Sequence, residues 1–186
     1  MADFTFAHRE EGFDEHIENS IRGYSNLIND AVSFSRYFVE DGTNIIDIGC
    51  STGKMTKALI DYNIDHCKEA TYIGLEIADG FRDDLEKRKD LLKNIYDGLN
   101  CGGAYIFAEK TICENALVQD MITFNYYDYK RESFSTEDIM DKERTLRHMM
   151  KPNTWKEIEE MVLDAGFNTI QPFWRNHAFV GALAIK

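Results

Sequence analysis

Proline is scarce, two in 186 residues, and no low-complexity tract interrupts the chain, which together exclude extended disorder. No run of 18 apolar residues occurs, so no segment reads as a membrane-spanning helix. An apolar N-terminal signal segment is also absent, and the expected location is the cytoplasm. The four cysteines, Cys50, Cys67, Cys101 and Cys113, lack C-x-x-C spacing. Free thiols are therefore expected, and neither zinc nor any other metal finds a paired ligand spacing. Positive charge is in deficit: 21 Lys and Arg stand against 33 Asp and Glu, a net charge of −12. That disfavours an extended nucleic-acid surface. Arg144, Arg147, His148 and Lys151 form one compact basic group, which a solvated helix face explains equally well.

What is present fits an ordinary folded chain, with 44% hydrophobic and 29% charged residues. The length predicts a single domain, 1–186, with a core of its own. Within it the reading gives an N-terminal helical arm (1–40), a nucleotide-binding core (41–110), and a helical insertion with a C-terminal hairpin (111–186).

The most informative stretch is NIIDIGCSTGKMTKAL, Asn44 to Leu59. It predicts a strand, an acidic residue near its end (Asp47), a glycine turn (Gly49 to Gly53) and then a helix. Glycine lets the backbone turn sharply and approach a ligand. The helix start behind it offers free N–H groups and partial positive charge. The spacing D-x-G-x-x-x-G is not the G-x-G-x-x-G of NAD enzymes, and Lys54 lacks the glycine spacing of a Walker loop. An acid before the first glycine suits a ligand with an amino group, and S-adenosylmethionine is the candidate. The plain alternative is a tight βα turn without a ligand. Cys50 reads as a small backbone-contact residue, having no His or Asp partner at a recognisable spacing.

Helical periodicity covers Glu15 to Phe38, with Gly23 as a break. Further strands are expected at Thr71–Glu76 and Ala104–Glu109, and helices at Asp79–Leu99, 114–130, Thr136–Met150 and Trp155–Ala165, the last capped by Thr154. Thr169–Arg175 and Ala178–Ile185 form a closing hairpin turned at Asn176–His177. Strands alternating with helices define an α/β fold with a mainly parallel sheet and a C-terminal antiparallel hairpin. Ligands of such sheets sit at the C-terminal strand ends. Asp47, Gly49, Ser51 and Gly53 lie at the end of strand 1 and Glu76 at the end of strand 2. A carboxylate there can accept both ribose hydroxyls; otherwise Glu76 is a surface residue. Glu109 and Lys110 end strand 3, either facing the cleft or forming a solvated ion pair. His8, His16 and His66 belong to no constellation.

FDEHIENSIRGYSNL (Phe13–Leu27), IIDIGCSTGKMT (Ile45–Thr56), NIYDGLNCGGAYIFAEK (Asn94–Lys110) and NYYDYKR (Asn125–Arg131) resemble the carboxy-S-adenosylmethionine synthase family, earlier described as tRNA wobble-uridine methyltransferases. The resemblance covers most of the chain, with several motifs in order. It implies a Rossmann-like class I methyltransferase fold, S-adenosyl-L-methionine or its carboxylated derivative as ligand, and a homodimer. Tyr24, Gly49, Ser51 and Glu76 would contact the nucleoside. The family makes its product from S-adenosylmethionine and prephenate, for use in tRNA wobble-uridine modification.

Two departures follow. The family's arginine for the ligand's extra carboxylate falls in a helix resembling Ile139–Met150, where ungapped alignment places Glu143, with Arg144 one position later. A carboxylate repels a carboxylate. Either Arg144 takes that role through a local shift, making it the candidate substrate-binding residue, or the carboxylated ligand is not used. The chain is also short in the middle, since Ile77–Leu99 has room for one helix where the fold has two more strands. Either strand 3 pairs beside strand 1 through a single crossover, or a native segment is missing from this sequence. The leading expectation is a methyltransferase with an unidentified acceptor. Carboxy-S-adenosylmethionine synthesis and a ligand- or partner-binding protein that has lost turnover are the alternatives.

Overall fold

Gly23, at φ 76°, ends one helix and starts the next, because the left-handed region costs glycine nothing. The computed structural model describes residues 13–75 and 85–186. They divide between two compact units, one of residues 13–18 and 23–75, the other of 19–22 and 85–186. Expected Glu76 and the first residues of the Asp79–Leu99 helix lie outside the described residues.

Helix α1 (Phe13–Ser20), whose residues 13–18 belong to the first unit, carries Asp14 and Glu15 in its first turn, where the helix dipole favours them. Helix α2 (Tyr24–Ser35) buries Leu27, Ile28, Ala31, Val32 and Ser35 on one face. Strand β1 (Asn44–Ile48) runs parallel to β2 (Thr71–Leu75), in register from Asn44↔Thr71 to Ile48↔Leu75. The crossover between them contains α3 (Lys54–Asn63). One face of this pair packs on the helices: Ile45 and Tyr72 meet a core of Ile28, Val32 and Leu59. The alternate residues Ile46, Ile48, Ile73 and Leu75 are exposed, as a period of two requires when only one face is covered. Buried Asn63 ties α3 to α2, its Nδ2 donating to Ser35 Oγ and to the Leu59 carbonyl, both at 2.8 Å.

The second unit holds α4 (Leu85–Gly98), β3 (Ala104–Lys110), α5 (Ala116–Lys130), α6 (Thr136–Met149), α7 (Trp155–Asp164), β4 (Thr169–Asn176) and β5 (Phe179–Ile185). Its sheet has the order β3-β5-β4, antiparallel throughout. Among the described residues, strand 3 is therefore not found hydrogen-bonded to strand 1. β3 instead pairs over all seven residues with β5, from Ala104↔Ile185 to Lys110↔Phe179. The apolar run FVGALAI makes β5 a natural central strand, and Val180, Gly181, Ala182 and Ala184 are buried. Pro172 sits in edge strand β4, beside a register irregularity, where its missing N–H does least harm. Ile158, Met161 and Val162 of α7 and its C-cap Ala165 pack with Leu92 of α4 on Ala182 and Ala184.

Candidate functional site

The turn after β1 has the backbone that the glycines imply. Gly49, Ser51 and Gly53 all have positive φ, at 78°, 47° and 79°. A Cβ at Gly49 or Gly53 would meet nothing within 4 Å, so backbone conformation and not crowding requires these glycines. The N–H groups of Gly49 and Cys50 donate to the Leu75 carbonyl of β2 (2.7 and 3.2 Å), and that of Gly53 to the Cys50 carbonyl (2.7 Å). The first-turn N–H groups of α3, which a helix cannot satisfy internally, open at this turn.

Asp47 is half-buried and its Oδ2 accepts a 2.7 Å hydrogen bond from Thr56 Oγ1, which fixes the carboxylate against α3. The Cys50 side chain packs on Gly74, where a Cβ would come to 2.8 Å from Sγ. That gives the Cys50 side chain a packing contact across the turn. All four cysteines are free thiols. Tyr24 begins α2, with the Lys54 ammonium 5.5 Å from its ring centroid. Burial pushes its phenol up, opposed by Lys54.

Residues that the sequence reading passed over hold this turn from α1. Asp14 Oδ1 accepts from Thr52 Oγ1 at 2.9 Å, and Glu18 Oε1 accepts from Lys54 Nζ at 3.0 Å and from Ser25 Oγ at 2.6 Å. Burial pushes the Glu18 carboxyl up, but the hydrogen bonds from Ser25 and Lys54 and the Lys54 charge together hold it below its ordinary value. The only signal in the sequence was the helical spacing of Asp14 and Glu18, four apart on one face.

The second unit has its own concave site, a cavity of about 190 Å³. Its polar wall includes Lys110, Thr123, Tyr126, Tyr127, Glu143 and Arg147. Glu143 is 6% exposed. Lys110 Nζ lies 3.6 Å from its Oε2, and Lys130 Nζ 3.9 Å from its Oε1. Lys130 is itself 2% exposed and its ammonium stands 5.1 Å from the Tyr126 ring centroid. Burial lowers the Lys130 pKa, against the upward pull of Glu143. Burial and then Glu143 raise the Tyr126 phenol. Arg144, the candidate for the ligand carboxylate, is on the outside of α6: its side chain is 81% exposed and pairs with Asp141 at 3.1 Å. Arg147 is the α6 arginine that lines the cavity.

Glu109 and Lys110 do not pair with each other. Glu109 is bound by Arg88 of α4, whose guanidinium also donates to Asn153 Oδ1 at 2.9 Å. The aromatic stretch at 124–129 divides similarly: Phe124 is exposed, whereas buried Tyr126 and half-buried Tyr127 both line the cavity. Among the described residues no group of three His, Cys, Asp or Glu could hold a metal ion.

A parallel β-α-β unit with a glycine turn, an acid at its first strand end and a helix N-terminus behind it defines an α/β protein of the nucleotide-binding class. No family model matches the chain. It is 30% identical over 213 residues to the carboxy-S-adenosyl-L-methionine synthase of Staphylococcus epidermidis, spanning 94% of this chain and 92% of that protein. The chain belongs to the carboxy-S-adenosyl-L-methionine synthase family. The synthase of Shewanella piezotolerans is 26% identical over 228 residues, spanning 100% of this chain and 94% of that one. An alignment of 228 positions against 186 residues leaves at least 42 positions of that synthase with nothing opposite, so the shortening is internal. Human N-acetylserotonin methyltransferase, solved in complex with SAM, is similar in structure with a TM-score of 0.49 at 14% identity, over 87% of this chain and 51% of that one. The pyocyanin biosynthetic protein PhzM gives 0.47 at 15%, over 87% and 55%. The chain spans about half the length of these two structures.

Proposed function

We propose that this chain is an S-adenosylmethionine-dependent methyltransferase-like enzyme, with the cofactor held at the Gly49–Gly53 turn and the acceptor not yet identified. The observation that carries this reading is the turn itself: three positive-φ residues between the Asp47 carboxylate and the start of α3. Asp47, fixed by Thr56, presents its second oxygen to the ligand's amino group, and the positive-φ backbone at Gly49, Ser51 and Gly53 lets the ligand come close. Tyr24 supplies an aromatic face, and Glu76 the ribose carboxylate. The cofactor provides a sulfonium leaving group. Held by Asp47, Tyr24 and the turn backbone, it would supply an activated methyl group for transfer to an acceptor. Such a reaction asks the protein mainly for alignment, so no triad is needed.

Family membership favours a second reading, synthesis of carboxy-S-adenosylmethionine for tRNA wobble-uridine modification in a cytoplasmic homodimer. The α5 residues Leu117, Met121 and Phe124, at helical spacing and 60–64% exposed, give an apolar stripe that a second copy would cover. Glu143 and the outward Arg144 weigh against a carboxylated product.

Calorimetric titration with S-adenosylmethionine tests the shared step. Binding of the intact chain, weakened at least tenfold by Asp47→Asn, is expected (~1.4 kcal/mol per tenfold). No binding would overturn both enzyme readings and leave a binding protein without turnover. Incubation with prephenate and mass analysis of the nucleoside then separates methyl transfer from formation of the carboxylated cofactor.

A further inference from the structure

Strand β1 has an unprotected edge. Two hydrogen bonds fix the phase of its pairing with β2: the Thr71 N–H donates to the Thr43 carbonyl at 2.9 Å, and the Gly49 N–H to the Leu75 carbonyl at 2.7 Å. Backbone groups of successive residues alternate in direction along a strand. Residues 43, 45, 47 and 49 therefore turn theirs toward β2, and Asn44, Ile46 and Ile48 turn theirs to the opposite edge. Among the described residues no strand pairs with that edge, because the sheet is β1-β2 alone. Ile46 and Ile48 are 55% and 50% exposed, and their register partners Ile73 and Leu75 are exposed beside them.

Natural edge strands carry lysine, proline or a bulge that blocks further pairing. NIIDI has none of these. Its one charge, Asp47, belongs to the other face and is held by Thr56. An apolar edge with free N–H and C=O groups is a template for another strand.

The position defines the chemistry of that strand. In a doubly wound sheet the first strand lies between the second and the fourth. Residues 77–99 have room for one helix where this fold has two more strands, and 228 aligned positions against 186 residues leave at least 42 of the Shewanella piezotolerans synthase with nothing opposite. A strand at that place runs parallel to β1 and is apolar on both faces, so it is a continuous run of β-branched residues and not an alternating one. A second copy of this chain would bring a further net charge of −12 to the edge. A strand with basic flanks meets attraction instead.

We propose that the free edge of β1 binds an extended strand of a separate polypeptide, about five β-branched residues long with basic flanks, paired in parallel through the backbone of Asn44, Ile46 and Ile48. The edge lies wholly within one unit, and its pairing does not depend on the glycine turn holding a cofactor.

The test uses the full chain without S-adenosylmethionine. The probe is a synthetic peptide with the run Val-Ile-Val-Ile-Val between flanking lysines. Its control is N-methylated throughout that run, which removes the N–H donors and keeps the charge. Calorimetry is expected to show saturable binding of the probe and at least tenfold weaker binding of the control. Amide hydrogen exchange read by NMR is expected to be fast at Asn44, Ile46 and Ile48 in the free chain and at least tenfold slower with the probe bound. Ile46→Pro removes an edge N–H that makes no bond to β2, and Ile46→Lys places a charge on the edge. Each variant, checked for folding by its melting curve, is expected to weaken the probe at least tenfold. No saturable binding, equal binding of the N-methylated peptide, or protection confined to other amides would each overturn the proposal. So would slow exchange at Ile46 and Ile48 in the free chain, the sign of an edge already paired with a second copy. Should Ile46→Pro not fold, Ile46→Lys and the two peptides decide it.

Discussion

Glu143 of α6 and Lys130 of α5 face each other inside the second unit, Nζ 3.9 Å from Oε1, with 8% and 2% of their side chains exposed. Removing one partner leaves a buried charge uncompensated, which is worth more than the pair itself. Glu143→Gln is expected to cost about 3 kcal/mol in urea unfolding, and adding Lys130→Met to recover most of it. The pH dependence has a definite sign. Burial holds the Lys130 pKa below its unfolded value of 10.5. The unfolded chain therefore keeps the extra proton as pH rises, and stability increases toward 10.5. The gain is expected to be larger in Glu143→Gln, where the carboxylate no longer pulls the pKa up. Comparing both proteins between about pH 8 and 9.5, below tyrosine ionisation, checks it; equal slopes would sink the account.

Cys50 and Gly74 are coupled across the β1–β2 pair. A Cβ at Gly74 would lie 2.8 Å from Cys50 Sγ and 3.2 Å from its Cβ. Gly74→Ala is expected to destabilise the chain by about 1–3 kcal/mol through overpacking. Cys50→Ala removes the nearer atom but not the farther one, so the double variant should regain only part. Additive losses in thermal unfolding would show that the two do not touch.

Much of this was legible in the chain. The break at Gly23, strand β1 at Asn44–Ile48, and the Thr154 cap depend on local chemistry within a few residues, and local chemistry is what periodicity and turn residues report. The pairing of β3 was not legible. AYIFAE reads as a strand from its own pattern, but its partner is 69 to 81 residues away in β5, and no local signal selects it. The cavity charges were half legible. Glu143 stands four residues after Ile139 and Lys130 four after Tyr126, so each charge sits on the buried stripe of its helix. A charge on a buried stripe signals a partner, yet only the tertiary packing of α5 on α6 says which one.

Thr154 closes a reciprocal capping box at the start of α7. Its Oγ1 accepts from the Glu157 N–H at 3.2 Å, while Glu157 Oε2 accepts from the Thr154 N–H at 2.8 Å. Helix α7 contributes Ile158, Met161 and Val162 to the core, so fraying there reaches the sheet. Thr154→Ala is expected to cost about 1 kcal/mol, and Thr154→Ser almost none. Chemical denaturation distinguishes them; an alanine variant as stable as the serine one would remove the cap from the account.

Glu18 gives the first unit an acid-sensitive clasp. Its carboxyl is held below the ordinary value because hydrogen bonds from Ser25 and Lys54 outweigh burial. A depressed folded pKa means that the contribution is complete above the unfolded value of 4.5 and is lost as pH falls through the folded one. Lys54 shares the contact. Its pKa is raised, chiefly by the hydrogen bond to Glu18, so on the alkaline side the pair weakens only as pH climbs through that raised value. Glu18→Gln keeps a weaker acceptor for Ser25 and removes the titration. The acid limb of the stability profile is therefore expected to shallow in this variant, while Lys54→Met, which removes the charged donor and leaves Ser25, should shift the acid midpoint upward. Both are read by fluorescence-detected unfolding across about pH 3 to 6. Superimposable acid limbs for wild type and Glu18→Gln would mean that α1 is held on the turn by packing alone. Because Lys54 also stands over the Tyr24 ring, loss of the clasp is further expected to weaken S-adenosylmethionine binding at acid pH in wild type more than in Glu18→Gln.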